Sequence, residues 1–391
     1  MNSSQEKKFQ LGNVLTISIS HLIHDIYSSF LAPILPLLIA KFGLSLFWAG
    51  FLSVISRLPS MLNPLIGILA DKLSVRYFII ISPSITAVSM SLLGAAPSYI
   101  VLAILCFIMG VSSTVFHVPA PVMVKQVAGT RVGKGMSFYM LGGELARTLG
   151  PMVILGAVSL WGLEGSYRLF PFGILASLVL YFRVRNIKIS DNFKKNETRT
   201  GLKTTFVKYL PFFVILIGIT FPRAFMKSAL TTFLPTYLHL FKGESLWISG
   251  ISLSILQFAG AFGTFFCGSI SDKIGRKATL LIISSASPVL VLMFLLVKGL
   301  YIIPLLVLIG FSIIGSTPVL LALVQDMKSD RPAFMNSIFM TISFLLTAVA
   351  TMIVGLTADY IGLERTFWIS AFIGFGSLPF ILKLKSKKEI T

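Results

Sequence analysis

Hydrophobic residues along the chain are grouped into twelve long runs separated by shorter polar segments. Each run is close to the roughly 20 residues that a helix needs to cross about 30 Å of hydrocarbon. The pattern therefore predicts an all-α integral membrane protein with twelve transmembrane helices. The predicted spans are residues 12–39, 47–70, 77–95, 100–124, 135–160, 167–183, 209–238, 246–270, 278–297, 301–325, 333–357 and 365–382.

One polar stretch, between the sixth and seventh runs, is much longer than the others. It holds eight Lys or Arg between residues 183 and 208 and shows no apolar periodicity. We expect residues 184–208 to form a basic cytoplasmic linker between two domains. Residues 1–183 would then form an N-terminal six-helix bundle, and residues 209–391 a C-terminal six-helix bundle with a short cytoplasmic tail.

A short charged turn occurs twice, at residues 67–76 and at residues 268–277, with an offset of 201 residues that is close to half of the chain. Each copy ends an apolar run with a glycine, followed four positions later by an acid and then by bases. The turns are too polar to enter a membrane and too short to cross one, so we expect them at its surface. The repetition indicates that the two halves are copies of one structural unit.

Composition identifies the membrane as the environment of this chain. Hydrophobic residues make up 55% of it, charged residues 12%, and the mean hydropathy is +0.90, which excludes an ordinary soluble domain. The first run is too long for a cleavable signal peptide, whose apolar core has about 7–15 residues. Cys106 and Cys267 lie in apolar runs, so we expect packing roles rather than a disulfide or a metal site.

Basic residues are distributed unevenly between the two sides of the predicted membrane. With a cytoplasmic N-terminus, 24 Lys and Arg fall in cytoplasmic segments and 5 in outer turns. The positive-inside rule therefore predicts a multi-pass protein of the cytoplasmic (inner) membrane with both termini in the cytoplasm. The formal charge of +19 is then mostly a topology signal. We expect no nucleic-acid partner, because no basic soluble module with interleaved aromatic residues is present.

Nine ionisable residues fall in the interiors of the predicted spans, away from their ends, where a charge costs at least about 2.5–3.5 kcal/mol and normally faces a cavity or a partner. They are Arg57, Arg147, Arg223, Lys227, Asp25, Glu144, His21, His24 and His117. All lie on predicted helices 1, 2, 4, 5 and 7, whereas helices 3, 6, 9 and 12 have none in their interiors. This separates cavity-lining helices from lipid-facing ones. Gln257 and Asn336 are uncharged candidates on helices 8 and 11.

The repeated turn resembles the loop between helices 2 and 3 of the major facilitator superfamily. The copy at 268–277 matches the family pattern nearly throughout, and the copy at 67–76 departs from it at Ser74 and Val75. The resemblance covers the whole chain and implies alternating access by two six-helix halves around a midplane site. The loop acids would act as a gate by binding bases and helix N-terminal amides where the cytoplasmic ends of helices meet. The alternative is that the charged turn only sets the orientation of the chain in the membrane. The candidate gate residues are Gly67, Asp71, Lys72, Arg76, Gly268, Asp272, Lys273, Gly275, Arg276 and Lys277.

Two narrower resemblances concern the direction of transport. Helix 5 resembles the glycine-proline motif of facilitator antiporters through Gly142, Gly143, Gly150, Pro151 and Gly156. Residues 20–25 in helix 1 and 110–119 in helix 4 look like the fosmidomycin-resistance branch of the superfamily, which is associated with export of a small phosphonate antibiotic. The resemblances imply efflux by an antiporter with a role in antibiotic resistance.

His21, His24 and Asp25 stand at positions i, i+3 and i+4, so they project from one face of helix 1. An acid beside imidazoles in a low-dielectric cavity can have its proton affinity tuned towards neutrality, which a proton carrier requires. We expect this cluster, together with His117 and Glu144, to carry protons. Two alternatives stay open. One is a structural hydrogen-bond network, and the other is a metal site completed by His117, which nearby cations would oppose.

The predicted cavity has a net charge of about +2 with neutral histidines, which favours an anionic substrate. Arg57 offers a planar guanidinium that can bind an oxyanion in bidentate fashion. Glu144 and Arg147, one turn apart, form either a structural ion pair or a pair that a proton or substrate breaks. The candidate substrate-binding residues are Arg57, Arg147, Arg223, Lys227, Gln257 and Asn336.

These features predict a secondary active transporter that exports a small anionic or amphiphilic compound, such as a phosphonate-type drug or metabolite, in exchange for protons. We expect a monomer in the lipid bilayer, with no cofactor, no bound metal and no catalytic residues. A proton-coupled importer of organic or phosphorylated anions would use the same residues in reverse. A metal-ion exporter or a membrane-embedded metalloenzyme around the histidines is the remaining alternative, although the chain has no second ligand cluster and no soluble active-site domain.

Overall fold

The computed structural model describes residues 9–62, 75–129, 131–185, 202–327, 329 and 332–384. Within these ranges the regular structure is helical, without strands. The α-helices are α1 (Leu11–Ser28), α2 (Leu31–Phe42), α3 (Leu46–Ile55), α4 (Val75–Ser91), α5 (Tyr99–His117), α6 (Ala120–Ala128), α7 (Val132–Trp161), α8 (Phe170–Val184), α9 (Leu202–Thr236), α10 (Leu246–Ile274), α11 (Arg276–Leu296), α12 (Ile302–Ile314), α13 (Ser316–Gln325), α14 (Pro332–Ile361), α15 (Leu363–Gly374) and α16 (Leu378–Leu382). Short 3-10 helices span Leu58–Leu62, Glu164–Leu169, Gly299–Tyr301 and Phe375–Ser377, and a π-helical turn spans Tyr237–Phe241.

Ten helical segments among the described residues are long and apolar enough to cross a membrane, judged by length and composition. They coincide with ten of the twelve predicted spans. The predicted spans 47–70 and 77–95 coincide in part with α3, of 10 residues, and α4, of 17 residues. Residues 63–74, which complete the second span and contain most of the first charged turn, lie outside the described residues.

Several predicted spans contain a break that hydropathy alone does not reveal. The span 12–39 divides into α1 and α2 before Pro33, the span 100–124 into α5 and α6 at Pro119, and the span 301–325 into α12 and α13 before Pro318. Proline lacks an N–H and its ring clashes with the preceding turn, so it is tolerated where a new helix begins.

The helix after the predicted linker begins earlier than its hydropathy indicates. α9 starts at Leu202, inside the stretch 184–208 that we expected to be linker. A basic segment can stay helical beyond the hydrocarbon, because Lys side chains extend their charge into water. Hydropathy therefore locates the apolar part of this helix and not its first residue. The linker residues 186–201 lie outside the described residues.

The chain divides into two compact units. The first contains Met1–Gly43 and Leu52–Lys195, and the second contains Leu44–Phe51 and Asn196–Thr391. In the first unit α1 packs against α7 and α4 against α8, and the buried side chains of the core include Phe116. In the second unit α9 packs against α14 and α10 against α12, and the core includes Leu280.

Close packing of α1 and α7 depends on glycines of α7. A Cβ atom at Gly142 would lie 2.5 Å from the backbone oxygen of Ser18, and one at Gly143 would lie 2.7 Å from the ring of His21. Real Cβ contacts are longer than this, so these positions need glycine for the two helices to approach. The glycines therefore bring α7 against the face of α1 that carries the histidines.

Gly142→Ala is expected to destabilise the first unit, because the added methyl group meets the backbone of α1. The expected cost is about 1–3 kcal/mol, which is typical of overpacking. Gly156→Ala on the same helix is the matched control, since no atom lies within 4 Å of its added Cβ. Thermal unfolding in detergent measures both variants, and equal midpoints would contradict this role of Gly142.

Candidate functional site

Asp25 lies at the centre of a buried cluster of three histidines in the first unit. Its Oδ1 is 2.9 Å from Nδ1 of His24 and 3.1 Å from Nε2 of His117. Its Oδ2 is 3.2 Å from Nε2 of His21, an ion-pair distance without hydrogen-bond geometry. His21 and His24 are buried, and Asp25 is 7% exposed. The structure thus brings together four of the five residues that we expected to carry protons.

The local sequence explains why these side chains meet. Helical spacing places His21, His24 and Asp25 on one face of α1. His117 joins them from the last turn of α5, which ends before Pro119. Phe116 stacks on His24 with ring centroids 4.5 Å apart and covers the cluster with apolar surface.

The hydrogen bonds of His24 determine which of its nitrogens carries a hydrogen. Ser112 must donate its single hydroxyl hydrogen to the carbonyl of Ser82, 2.9 Å away, because a carbonyl only accepts. Thr86 therefore donates to Ser112 over 2.8 Å. With its own hydrogen used, Thr86 can only accept from Nε2 of His24, 3.0 Å away. Nε2 of His24 therefore carries a hydrogen.

His21 is constrained in the same way. Its Nδ1 lies 2.7 Å from the backbone oxygen of Tyr139, so Nδ1 carries the hydrogen. The His21 ring also stacks on the Tyr139 ring with centroids 4.0 Å apart, which fixes its orientation. In a neutral His21, the lone pair of Nε2 therefore lies on the side of the Asp25 carboxylate.

These constraints set a proton count for the cluster. If Asp25 were ionised and His24 neutral, lone pairs of Oδ1 and Nδ1 would face each other at 2.9 Å, which is repulsive. The contact requires a hydrogen between the two atoms, carried by a protonated carboxyl or by a protonated imidazole. The cluster is therefore arranged to hold one proton more than an ionised acid with neutral histidines.

His117 is the most exposed member of the cluster. Its side chain is 37% exposed, whereas the side chain of His24 is completely buried. Its Nδ1 lies 3.3 Å from the hydroxyl of Tyr139, which can donate or accept. Rotation of this hydroxyl supports either tautomer of His117, so this partly exposed ring can carry its hydrogen on either nitrogen.

The same atoms offer ligands to a cation. One ligand atom each from His21, Asp25 and His117 lie within 4.8 Å of one another. Imidazole nitrogen and carboxylate oxygen are suitable ligands for Zn²⁺ and other divalent transition metals. A cation and the shared proton would compete for these atoms, so metal binding is a distinct chemical alternative.

Glu144, the fifth residue expected to carry protons, does not join the cluster. Its carboxylate contacts the guanidinium of Arg147 on the next turn of α7 at 3.1 Å. The Glu144 side chain is 16% exposed and that of Arg147 is 42% exposed. This is the ion pair that the spacing predicts. It is either a structural ion pair or one that a proton or a substrate breaks, and both alternatives stay open.

Arg57 lies in the first unit, between α3 and the 3-10 helix Leu58–Leu62. Its side chain is half-buried. Its guanidinium makes no hydrogen bond or ion pair with the residues that the structure describes. With respect to the described residues, its five N–H donors are therefore available to a ligand.

Arg223 has a different environment, in the interior of the second unit. It is 4% exposed. It donates to the hydroxyl of Ser284 over 2.6 Å and to the carbonyls of Ser312 and Ile313 over 3.2 Å each. These carbonyls lie at the end of α12, where the break before α13 leaves acceptors and a partial negative charge. Arg223 thus joins α9, α11 and α12, a role that the sequence did not indicate.

Arg223→Met is expected to lower the stability of the second unit by about 1–3 kcal/mol, because the carbonyls at the end of α12 lose their donor. Arg223→Lys recovers only part of the loss, since a single ammonium cannot reach three acceptors in the same geometry. Arg365→Met, at an exposed arginine of the same unit, is the control. Thermal unfolding in detergent tests this, and wild-type midpoints for both Arg223 variants would contradict it.

The other three candidate substrate residues lie on α9, α10 and α14. Lys227 follows Arg223 by one turn, and its side chain is half-buried. Gln257 is half-buried as well. Asn336 is half-buried with its Oδ1 shielded from solvent and without a hydrogen-bond partner among the described residues. An unpartnered amide oxygen of this kind is an acceptor that a ligand can satisfy.

The second copy of the charged turn forms an ion network within the second unit. Nε of Arg276 lies 3.0 Å from Oδ2 of Asp326, and Nη1 contacts both Asp272 and Ser271. Arg276 therefore links the end of α10 to the end of α13. Asp326 was absent from the residues predicted for this turn.

The remaining gate residues contribute less to this network. Lys277 donates to the backbone oxygen of Leu382 over 2.7 Å. Gly275 has a φ of +93°, which favours glycine at the sharp junction of α10 and α11. Lys273 is exposed, and a Cβ at Gly268 would meet Pro318 at an ordinary distance of 3.8 Å.

The first copy of the turn lies mostly outside the described residues. These include the predicted gate residues Gly67, Asp71 and Lys72. Arg76 is described, and its guanidinium lies over the ring of Tyr77 at 5.2 Å. The gate role of this copy stays a prediction.

Sequence reasoning missed the partners that determine the protonation of the cluster. Tyr139, Thr86 and Ser112 are hydroxyl residues inside apolar helices, where such residues are common and usually bond their own helix. The position of Tyr139, three residues before Gly142, was the one available signal, since it lies on the glycine face that packs on α1.

Comparisons with known proteins extend these observations. The chain matches the family model described as Major Facilitator Superfamily over residues 17–351. It is 25% identical over 380 residues to the "Fosmidomycin resistance protein" of Escherichia coli (strain K12), covering 95% of this chain and 92% of that protein. It is also 25% identical over 394 residues to the "Uncharacterized MFS-type transporter YfnC" of Bacillus subtilis (strain 168), covering 96% and 93%.

Solved structures share the fold. A bacterial homolog of the human lysosomal transporter Spinster, in an inward-facing and occupied conformation, has a TM-score of 0.79 at 15% identity, covering 96% of each chain. A D-xylose-proton symporter has a TM-score of 0.76 at 15% identity, covering 98% of this chain and 100% of that chain. At this identity the likeness concerns the fold alone. The predicted all-α fold of twelve transmembrane helices in two six-helix halves is confirmed.

Proposed function

Because the chain belongs to the major facilitator superfamily, we propose that it is a proton-coupled antiporter that exports a small anionic or amphiphilic compound. Family membership makes the chain a multi-pass membrane transporter rather than an enzyme. The direction, the coupling ion and the substrate are the proposed part. The observation that carries the proposal is the hydrogen required between Asp25 and His24.

The proton step is assigned to the first unit. Protons enter and leave through the exposed edge of His117 and bind between Asp25 and His24, while Thr86 holds the far side of the His24 ring. A proton at this position favours one conformation of the transporter, and substrate favours the other. Each ligand then lowers the apparent affinity for the other, which is the thermodynamic requirement for exchange.

The substrate is proposed to be anionic. Arg57 provides a half-buried guanidinium with its donors available, which suits a phosphonate, a phosphate ester or a carboxylate. The relative from Escherichia coli is named for resistance to fosmidomycin, and the present residues are compatible with a compound of that class. Arg147, Lys227, Gln257 and Asn336 are the further candidates for substrate contact. Arg223 serves mainly to hold its own unit together.

Topology and gating complete the proposal. The excess of bases in the segments assigned to the cytoplasm, 24 against 5, supports a cytoplasmic-membrane protein with both termini inside. The transporter is proposed to act as a monomer. The network of Arg276 with Asp272 and Asp326 is proposed to hold the cytoplasmic ends of its helices together in one state and to reorganise in the other.

Transport in proteoliposomes tests the function directly. Vesicles that contain a pH dye and one candidate substrate are placed in acidic medium. Fosmidomycin is the first substrate loaded, followed by small phosphonates, phosphate esters and carboxylates. Each is compared with a neutral analogue. We expect proton entry coupled to loss of the anionic compound. Accumulation of the compound inside the vesicles would instead identify an importer. Substrate counterflow without any proton movement would contradict the coupling.

A second candidate function, metal-ion export, is favoured by the spacing of ligand atoms in His21, Asp25 and His117. In that case Zn²⁺ or Mn²⁺ would drive proton movement in the same vesicles. Because the atoms are shared, Asp25→Asn removes both activities, and the choice of cation or anion as the driving ligand separates them.

A further inference from the structure

An apolar groove runs along the surface of the first unit between α4 and α8. Its volume is about 510 Å³, within the range of pockets that hold small molecules. Both helices contribute to its lining, which includes Tyr77, Ile81 and Ser84 of α4 and Ile174, Leu178 and Tyr181 of α8. Most of these side chains are apolar and partly or largely exposed. In a membrane-spanning segment, a groove of this character faces acyl chains.

The two helices are antiparallel, and their contacts give the register. The N–H of Ser84 donates to the hydroxyl of Ser177 over 3.0 Å. A Cβ at Gly173 would lie 2.1 Å from Cβ of Ala87, so these residues also face each other. Because the helices are antiparallel, each step towards the N-terminus of α4 corresponds to a step towards the C-terminus of α8. Residue 76 therefore lies at the level of residue 185. The N-terminal end of α4 therefore lies beside the C-terminal end of α8.

This register gathers basic and tyrosine side chains at one end of the groove. Arg76 lies over the ring of Tyr77 at 5.2 Å, and Arg185 lies over the ring of Tyr181 at 5.1 Å. Both tyrosines line the groove. Tyrosines and arginines in this arrangement are typical of the level at which lipid headgroups meet hydrocarbon.

Among the described residues of α4 and α8, the charged side chains at this end are all basic. Arg183 and Arg185 are exposed, and Nε of Arg76 is buried without a hydrogen-bond partner among the described residues. Neither α4 nor α8 contains an Asp or Glu that would neutralise them. An anionic group at the mouth of the groove would therefore meet Arg76 and Arg185, together with the unpartnered N–H donor of Arg76.

We propose that this groove is a binding site for a phospholipid with an anionic headgroup. One acyl chain lies in the groove along Ile81 and Leu178, and the phosphate and headgroup bind Arg76 and Arg185. The tyrosines mark the boundary between the two parts of the lipid. The site is separate from the Asp25 cluster, and it gives Arg76 a function besides the one expected from the charged turn.

Native mass spectrometry of the full-length protein in detergent tests the headgroup. Phosphatidylglycerol and phosphatidylethanolamine with identical acyl chains are titrated, and phosphatidylglycerol is expected to bind preferentially. Each lost base should weaken its binding about fivefold, so Arg76→Gln with Arg185→Gln should lose about 25-fold. Arg168→Gln is the matched control, because Arg168 also lies over aromatic rings but at the opposite end of α8. Arg185→Gln alone, at an exposed residue, keeps the test available if the double variant folds poorly.

A pair of variants on α8 tests the groove. Leu178→Trp fills it and is expected to weaken binding of both lipids, whereas Leu175→Trp, one turn away and outside the groove, should bind as wild type. Equal affinity for the two lipids, or wild-type phosphatidylglycerol binding by the double arginine variant, would overturn the headgroup assignment. Equal behaviour of the two Trp variants, or full displacement of the lipid by free glycerol phosphate, would overturn the groove.

Discussion

Asp25→Asn is expected to abolish proton-driven export and to leave substrate exchange at equal pH intact. The amide cannot take up the proton that the contact of 2.9 Å between Asp25 and His24 requires, so the coupling ion has no site. Exchange of substrate across the membrane does not need the proton to move. We therefore expect proton flux to fall to that of empty vesicles while counterflow continues.

The control for this variant is Glu164→Gln. Glu164 is an acid of the same unit, but its side chain is 75% exposed and paired with Lys41 at 2.7 Å. Because a solvent-exposed ion pair contributes little to stability, losing it should leave proton-driven export unchanged. Persisting proton flux in Asp25→Asn would contradict the assignment of the carrier. Loss of counterflow together with flux would instead mark the cluster as a structural network.

Arg57→Ala is expected to weaken the apparent affinity for the anionic substrate about 10- to 100-fold, because a charge-assisted hydrogen-bond pair is lost. Arg57→Lys should give an intermediate value, since it keeps the charge but loses the planar pair of donors. Arg147→Gln should have a smaller effect, because that guanidinium is already engaged with Glu144 at 3.1 Å. Counterflow at varied substrate concentration measures all three.

The neutral analogue of the substrate supplies the control for charge. If Arg57 binds an oxyanion, transport of the neutral compound should be equally slow in wild type and in Arg57→Ala. An unchanged apparent affinity for the anion in Arg57→Ala would remove Arg57 from the substrate site. In that case its half-buried guanidinium would need a partner outside the described residues.

Most of the fold follows from hydropathy, because length and apolarity are what the bilayer selects. The breaks at Pro33, Pro119 and Pro318 do not follow, since a proline in an apolar run either kinks a helix or starts a new one. Packing decides between these outcomes. The first turn of α9 was missed for a related reason, because basic residues at a helix end resemble a linker in hydropathy.

The centre of the candidate site follows from local spacing, and its surroundings do not. His21, His24 and Asp25 share a helix face by arithmetic alone. The hydroxyl chain from Thr86 and the backbone oxygen of Tyr139 belong to other helices, and only tertiary packing reveals them.

The bases illustrate the same limit. A buried arginine can serve a substrate or close a helix end, and the sequence is identical in both cases. The contacts of Arg223 with the carbonyls of Ser312 and Ile313 show that it closes the end of α12. Arg57 has no such contact among the described residues and therefore remains the stronger candidate for the substrate.

Release of protons on substrate binding reports directly on proton coupling at Asp25. Purified wild-type protein and the Asp25→Asn variant are each mixed with substrate in a weakly buffered detergent solution that contains a pH dye. Calorimetry measures substrate binding in parallel. The antiport mechanism predicts that wild type releases protons in step with binding, because substrate selects the conformation that holds the proton less tightly. Asp25→Asn should bind without release. Proton uptake on binding would indicate symport, and binding by wild type with no change in pH would contradict proton coupling at Asp25.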